Sequence, residues 1–280
     1  MLKSSVCQQE QLESDAFRGW VAETKEPFRL HRKCWEFAYI SQALHERGML
    51  ADGRRGLGFG VGREPLASMF ARRGCAIVAT DQAAEQAQDS GWLETGQLMT
   101  TLDDLNERGI CEPGLFRRHV SQRVVDMNAV PVDLRGFDFT YSSCCFEHLG
   151  TIELGLRFIE AQMDCLRPGG VAVHTTELNL SSDTETMECP FMSLFRRSDF
   201  QRLADRLKAR GHHVDLDFSQ GDLVADNHVD LPPYSGPYTL KIEWDRYVTT
   251  SFGLIVTKDA LRSPIARLSS RVRRALRRAG

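Results

Sequence analysis

The sequence lacks the cysteine and histidine spacing of a zinc-binding or disulfide-rich protein. Its eight cysteines are scattered along 280 residues, with no CxxC pair and no alternation of cysteine and histidine at zinc spacing. We therefore predict free thiols, as in a reducing cytoplasm, and no metal site.

Long apolar runs are also missing. The N-terminal stretch MLKSSVCQQEQLESD has no apolar core of the kind found in signal peptides, and no stretch approaches the roughly 18 apolar residues of a membrane span. This pattern predicts a cytoplasmic protein that is neither secreted nor membrane-spanning. The hydrophobic content of 42% can fill a substantial core, and the length fits one large domain or two small ones.

The chain as a whole carries little excess charge. It has 35 basic and 38 acidic residues, a formal net charge of -3, which predicts no general attraction for nucleic acid. The distribution is uneven, because residues 262–280 contain seven arginines and no acid. The preceding residues therefore carry 28 basic against 38 acidic side chains, or -10.

The arginine-rich end also has an apolar face at helical spacing. We define residues 261–280 as a basic amphipathic tail, a pattern typical of peripheral contact with an anionic membrane. A solvated tail and a helix docked on the acidic body are the alternatives. The apolar positions of the tail are Ile265, Leu268, Val272, Leu276 and Ala279.

Helical and strand-like segments alternate along the rest of the chain. Residues 32–47 have helical spacing, and GLGFGVG, a helix-compatible stretch ending at Gly74, and CAIVATD together form a β-α-β unit. The predicted fold class is α/β, a Rossmann-like doubly wound, mostly parallel sheet flanked by helices. A further helix is predicted over 197–211, and further strands over 123–127, 137–143, 169–176, 212–218 and 251–259.

These elements predict three parts of the chain. Residues 1–50 form an N-terminal helical cap, residues 51–260 form the Rossmann-like domain, and the basic tail follows. Residues 219–250 are polar and contain proline, so we interpret them as an insertion within the domain, either a loop or a small lid.

The glycine-rich turn from Gly56 to Gly62 is the most informative segment. Its glycines let the backbone approach a ligand closely, and the following helix N-terminus supplies amide donors. Asp81 ends the next strand, where an acid commonly accepts hydrogen bonds from ribose hydroxyls. These features predict an adenosine-type cofactor, with a tight structural turn as the alternative. Arg63 and Pro65 stand where a dinucleotide motif would place its third glycine.

Together with further segments of the chain, this turn resembles the class I S-adenosylmethionine-dependent methyltransferases, and the similarity spans about residues 33–258. The resemblance is carried by GLGFGVG, the acid of VATD, VVDMNAVP, FDFTYSSCCFEHLG and LRPGG. The segments FDFTYSSCCFEHLG, WEFAYI and TTELNL are most similar to methyltransferases of bacterial surface-polysaccharide assembly. The resemblance implies methyl transfer from S-adenosylmethionine to a hydroxyl of a sugar, glycan or other small molecule. A nucleotide-dependent oxidoreductase and a non-catalytic methyltransferase-like scaffold are the alternatives.

The resemblance also implies a set of cofactor contacts. Asp81 would bind the ribose hydroxyls, and Asp126 and Met127 would flank the adenine. Gly56 stands where the family usually has an acid that anchors the cofactor's amino group, which leaves Glu64 or Glu36 as substitutes. The methionine end would lie on Gly58, Gly60 and Gly62, with Ser142 and Ser143 at the end of the fourth strand.

Candidate residues for the acceptor follow the fourth and fifth strands. A hydroxyl must lose a proton on methylation, and histidine suits that role at neutral pH, so His148 is the predicted general base. Packing under the next helix is its alternative. Glu177 and Asn179 are predicted to contact the methyl acceptor, and a solvated loop is the alternative for them. Trp35 and Tyr39 are predicted to cover the sulfonium or the methyl acceptor, and helix packing is the alternative for these two aromatic residues.

Overall fold

The computed structural model of the chain describes residues 1–83, 99 and 101–260. The basic tail therefore lies outside the described residues, and its membrane contact stays a prediction. Within the described ranges, no helix combines the length and the apolar character needed to cross a bilayer.

Helices and strands alternate through most of the chain. The α-helices are α1 (Gln9–Glu13), α2 (Asp15–Glu23), α3 (Arg32–Glu46), α4 (Leu66–Ala71), α5 (Pro113–His119), α6 (Ile152–Gln162) and α7 (Arg197–Ala209). The strands are β1 (Ser4–Val6), β2 (Arg55–Gly58), β3 (Ala76–Asp81), β4 (Val120–Val124), β5 (Phe137–Ser143), β6 (Leu166–Asn179), β7 (Glu188–Cys189), β8 (Met192–Ser193), β9 (His213–Val214), β10 (Leu216–Asp217), β11 (Lys241–Trp244) and β12 (Tyr247–Thr257).

The main sheet has the strand order β10-β1-β12-β6-β5-β2-β3-β4. Strands β2 to β6 run parallel, whereas β12 is antiparallel to β6. The predicted Rossmann-like, mostly parallel sheet is thus confirmed. Strand order reverses between β2 and β5, because β3 and β4 continue on one side of β2 while β5 and β6 continue on the other. Such a reversal opens a crevice at the carboxyl ends of the strands.

Several predicted boundaries needed correction. The strand expected over 123–127 is β4, three residues earlier, and the strand expected over 212–218 is two short strands, β9 and β10. The predicted cap, residues 1–50, also supplies β1, which lies between β12 and β10 in the sheet. Within the predicted lid, residues 219–250, strand β11 forms a hairpin with β12.

Helix α3 lies against the sheet and is buried along most of its length. Its side chains from Cys34 to Ser41 are all buried, because β6 and β12 cover one side of the helix and α2 covers another. Trp35 and Tyr39 stack with ring centroids 4.5 Å apart. A Cβ on Gly253 would lie 2.1 Å from the Tyr39 ring, so glycine at that position lets α3 approach the sheet.

Candidate functional site

A cavity of about 750 Å³ opens at the carboxyl ends of β2, β3 and β5. This position is the crevice that the reversal in strand order creates. The cavity is bounded by the turn after β2, the ends of β3 and β5, the turns that follow β4 and β5, and the start of α3. Its lining includes Lys33, Phe37, Gly60, Gly62, Glu64, Asp81, Asp126, Met127, Asn128, Ser143, Cys144, Cys145, His148 and Leu149.

The turn after β2 presents bare backbone to this cavity. Gly60 and Gly62 have φ angles of +54° and +49°, a conformation that favours glycine. A Cβ on Gly60 would lie only 3.0 Å from the Cβ and Sγ atoms of Cys145. Glycine is therefore required here both by conformation and by space, and a ligand can approach the main chain directly.

Asp81 connects the end of β3 to the same turn. One carboxylate oxygen accepts the Gly62 backbone N–H at 3.1 Å, and the other accepts the Gln82 N–H at 2.9 Å. Burial raises the pKa of Asp81, whereas these backbone hydrogen bonds lower it. Each carboxylate oxygen has a second lone pair, so Asp81 can also accept from the two hydroxyls of a ribose.

Asp126 and Met127 lie in the turn after β4. Asp126 is exposed, and one of its carboxylate oxygens accepts the Asn128 N–H at 2.8 Å. Met127 is buried at 8% exposure and forms an apolar part of the cavity wall. A flat base placed here would therefore meet an apolar surface and an acceptor at its edge.

His148 lines the cavity after β5 and has a defined tautomer. Its Nδ1 lies 2.6 Å from the Phe191 carbonyl oxygen, which can only accept, so Nδ1 carries the proton. In the neutral ring Nε2 then carries the lone pair. Burial lowers the pKa of His148 to about 4, so the ring is neutral at physiological pH.

Ionised side chains cluster beneath the cavity, where α3 meets β6. Arg32 pairs with Glu177, and Thr249 donates a hydrogen bond of 2.9 Å to the same carboxylate. The next residue, Lys33, places its ammonium 2.9 Å from a carboxylate oxygen of the fully buried Glu36, which follows one turn later in the helix. Each buried carboxylate in these two pairs thus has its own cation.

A group of possible metal ligands lies beside these pairs. One ligand atom each from Cys144, Glu147 and Glu177 lies within 4.8 Å of the others. Burial raises the pKa of Glu147 to about 8, and Thr176 donates a hydrogen bond of 2.8 Å to it. Glu177 is already paired with Arg32, and the raised pKa keeps Glu147 mostly protonated at neutral pH.

Six predicted site residues do not line this cavity. Gly58 lies behind the turn, and Ser142 faces the other side of the sheet, 2.7 Å from the Nδ1 of the buried His174. Glu177 is engaged by Arg32, and Asn179 holds the loop after β6 through bonds to Glu185, Thr186, Ser181 and Ser182.

Trp35 and Tyr39 are the remaining two of the six. Both are fully buried, Trp35 donates to Gln11 at 2.8 Å, and the Tyr39 hydroxyl lies 2.6 Å from the Lys3 carbonyl oxygen. Packing, the alternative reading of these two aromatics, is what the structure shows, because their rings point into the α3–sheet interface rather than into the cavity. Gly60, Gly62, Asp81, Asp126, Met127, Ser143 and His148 do line it.

Three other lining residues were not among those predicted from the sequence. Lys33 lies on the opposite side of α3 from Trp35 and Tyr39, the aromatic residues from which the ligand-facing side of this helix was predicted. Cys144 and Cys145 follow β5, and Cys144 has a φ of +47°. A pair of adjacent cysteines directly after a buried strand was the signal for these two, since such positions fall at the ligand-binding edge.

Comparison with solved structures identifies chains of the same fold. One is a putative sarcosine dimethylglycine methyltransferase from Galdieria sulphuraria, with 15% identity, coverage of 88% of this chain and 99% of that chain, and a TM-score of 0.52. Another is the [4+2]-cyclase SpnF, with 15% identity, coverage of 92% and 100%, and a TM-score of 0.50. No protein-family model matches the sequence, and no curated protein matches it significantly.

Proposed function

We propose that this chain transfers a methyl group from S-adenosylmethionine to a hydroxyl of a sugar, glycan or other small molecule. The observation that carries the proposal is the convergence of Gly60, Gly62, Asp81 and Met127 on one cavity at the strand-order reversal. An adenosine that carries a charged amino-acid end needs exposed backbone for that end, a hydrogen-bond acceptor for its ribose hydroxyls and an apolar wall for its adenine. The fold shared with the Galdieria protein, whose name describes a methyltransferase, agrees with this reading.

The cofactor would supply a methyl group on a sulfonium, which is both electrophilic and attached to a good leaving group. The residues of this chain would bind and orient the cofactor. The glycine turn would hold its amino-acid end, Asp81 its ribose, and Met127 with Asp126 its adenine. Met127 and Leu149 would exclude water from the reacting groups. Alignment of acceptor and methyl group is the largest contribution that a protein makes to such a transfer.

His148 is the proposed general base for a hydroxyl acceptor. The Phe191 carbonyl fixes the proton on Nδ1, so Nε2, which lies 4.0 Å from a carboxyl oxygen of Glu147, is the ring nitrogen that would take the proton of the hydroxyl. The choice of a sugar or glycan as the methyl acceptor, as in bacterial surface-polysaccharide assembly, rests on the sequence resemblance.

The acceptor class can be tested by measuring the release of S-adenosylhomocysteine, the demethylated cofactor, in the presence of panels of sugar nucleotides, free sugars and small alcohols.

Asp81→Ala is expected to weaken the binding of S-adenosylhomocysteine (SAH) by about 1 to 3 kcal/mol, because the ribose hydroxyls lose their acceptor. Calorimetric titration of SAH, S-adenosylmethionine and NAD into the full chain measures this and separates the alternatives. Asp103→Ala, an exposed carboxylate paired with Arg117, is the control and should bind SAH normally. NAD binding without SAH binding would favour an oxidoreductase, and binding of neither would favour a scaffold.

We also propose that the basic tail holds the protein at an anionic membrane surface. Seven arginines and no acid follow Leu261, and each arginine near such a surface contributes about 1 kcal/mol. The full chain should co-sediment with anionic liposomes, release in high salt and ignore neutral liposomes. A version ending at Leu261 is the control. Equal, negligible sedimentation of both proteins would contradict this proposal.

A further inference from the structure

Two glutamates were candidates to replace the acid that is missing at Gly56, and Glu36 is fully engaged. Its Oε1 accepts the Ser251 hydroxyl at 2.6 Å, and its Oε2 accepts the Ser143 hydroxyl at 3.1 Å. The Lys33 ammonium lies 2.9 Å from the same Oε2. Glu36 is also completely buried and is not among the residues that line the cavity, and its charge is already balanced by Lys33.

Glu64 differs from Glu36 in having an oxygen without a hydrogen bond, although Lys33 and Ser143 also lie near its carboxyl group. It lies two residues after Gly62 and directly before Pro65, the N-cap residue of α4. Its side chain lines the same cavity as the glycine turn. Its Oε2 atom is buried and has no hydrogen-bond partner among the described residues. A buried carboxyl oxygen without a partner costs about 1 to 3 kcal/mol, a cost that a cationic ligand group would remove.

The position that usually carries the acid is closed in this chain. A Cβ on Gly56 would lie 2.3 Å from the Cζ of Phe139 and 2.8 Å from the Cδ1 of Ile77. The Phe139 ring therefore occupies the space that a side chain at residue 56 would need. An acid for this end of the cavity has to come from another element.

We propose that Glu64 receives the α-ammonium of the cofactor's amino-acid end and so distinguishes S-adenosyl amino acids from adenosine derivatives that lack this group. The inference rests on the proposed function. Glu64 is beside Gly60 and Gly62, where the amino-acid end of the cofactor would lie. Of the two candidate glutamates, Glu36 is paired with Lys33, whereas Glu64 has a buried oxygen without a partner that can accept a hydrogen bond from the α-ammonium.

Ligand binding at Glu64 should release a proton. Burial raises the pKa of Glu64 to about 8, so in the absence of ligand the carboxyl is mostly protonated at pH 7. An ammonium ligand favours the carboxylate, which requires the proton to leave. SAH affinity should therefore rise as the pH rises from 6 toward 8. The groups that face Glu64 are Lys33 and Glu36 on α3, Asp81 on β3, and Ser143 and Tyr141 on β5.

The test compares SAH with 5′-methylthioadenosine, which has the same nucleoside and no amino-acid end. In calorimetry at pH 7.5, Glu64→Gln in the full chain should bind SAH about 10- to 100-fold more weakly and 5′-methylthioadenosine as the wild type does. Titration in buffers of different ionisation enthalpy should show proton release with SAH in the wild type and none in the variant. Glutamine has the shape and charge of the protonated acid, so the variant should fold.

Glu153→Gln is the matched control, because Glu153 is a partly exposed carboxylate that pairs with Arg206 and does not line the cavity. It should leave both affinities unchanged. Equal weakening of both ligands by Glu64→Gln, or of neither, would overturn the role of Glu64 and leave the proposed function standing. A wild-type chain that binds neither ligand would overturn both.

Discussion

His148→Ala is expected to lower turnover about a hundredfold or more while leaving SAH affinity nearly unchanged. The reason is the fixed tautomer, in which Nδ1–H donates to the Phe191 carbonyl and Nε2, 4.0 Å from a Glu147 carboxyl oxygen, is the basic nitrogen of the ring. Removal of the ring removes the base and does not touch Asp81 or the glycine turn. Initial rates of SAH release with an acceptor found in the panel, together with calorimetry, measure the two quantities.

His148→Asn separates catalysis from packing. An asparagine amide can still donate to the Phe191 carbonyl, so it preserves the structural hydrogen bond, but it cannot accept a proton as a base. We expect this variant to be as slow as the alanine variant. Near-normal turnover of His148→Asn would show that His148 serves only to hold the segment around Phe191.

The pH dependence gives a second signature of the same residue. Burial lowers the pKa of His148 to about 4, and protonation below that value removes the Nε2 lone pair. Turnover attributable to His148 should therefore stay constant from pH 8 to about pH 5, and fall only as the pH approaches 4. A loss of turnover centred near 6.5 would mean that the titrating base is an ordinary, solvated histidine instead.

Gly56→Asp, which would introduce the acid that the sequence resemblance leads one to expect at this position, is expected to destabilise the fold by more than about 4 kcal/mol. Overpacking against the Phe139 ring costs about 1 to 3 kcal/mol, and an unpaired carboxylate placed in the core adds several more. Much of the protein should then be insoluble or unfolded at 37 °C. Denaturant unfolding followed by circular dichroism measures the loss.

Gly19→Asp is the control for this substitution. No atom lies within 4 Å of a Cβ added at Gly19, which is exposed on α2, so its effect should stay within about 1 kcal/mol. Combining Gly56→Asp with Phe139→Ala should recover part of the stability by opening space. If Gly56→Asp unfolds at the same denaturant concentration as Gly19→Asp, the close contact with Phe139 does not determine the residue at position 56.

The glycine turn, Asp81 and β5 could be predicted because their signals are local. Apolar and polar residues alternate in FDFTYSS, which ends in Ser143, and the strand observed has the predicted bounds, 137–143. A turn that needs positive φ values must use glycine, so Gly60 and Gly62 stand out in the sequence. These features depend on a few neighbouring residues and hardly on the rest of the chain.

The residues that contact the methyl acceptor could not be predicted in the same way, because their positions depend on long-range packing. Glu177 was predicted to contact the methyl acceptor just beyond a strand ending at residue 176. Instead, β6 continues to Asn179 between β5 and β12, and Arg32 from α3 pairs with the Glu177 carboxylate. Helix α3 is buried on several sides, so the phase of its aromatic residues did not reveal that Lys33 faces the cavity. Pairing of distant elements determined both outcomes.

The position of β1 has a consequence for folding during synthesis. The Ser4 hydroxyl accepts a hydrogen bond from the backbone N–H of Ile255, 251 residues later, and β1 lies between β12 and β10 in the sheet. At about 5 to 20 residues per second, a ribosome needs roughly 12 to 50 s to add that length of chain. Until then β1 has no partner on β12, so closure of this sheet edge is a late, non-local event that is intrinsically slow.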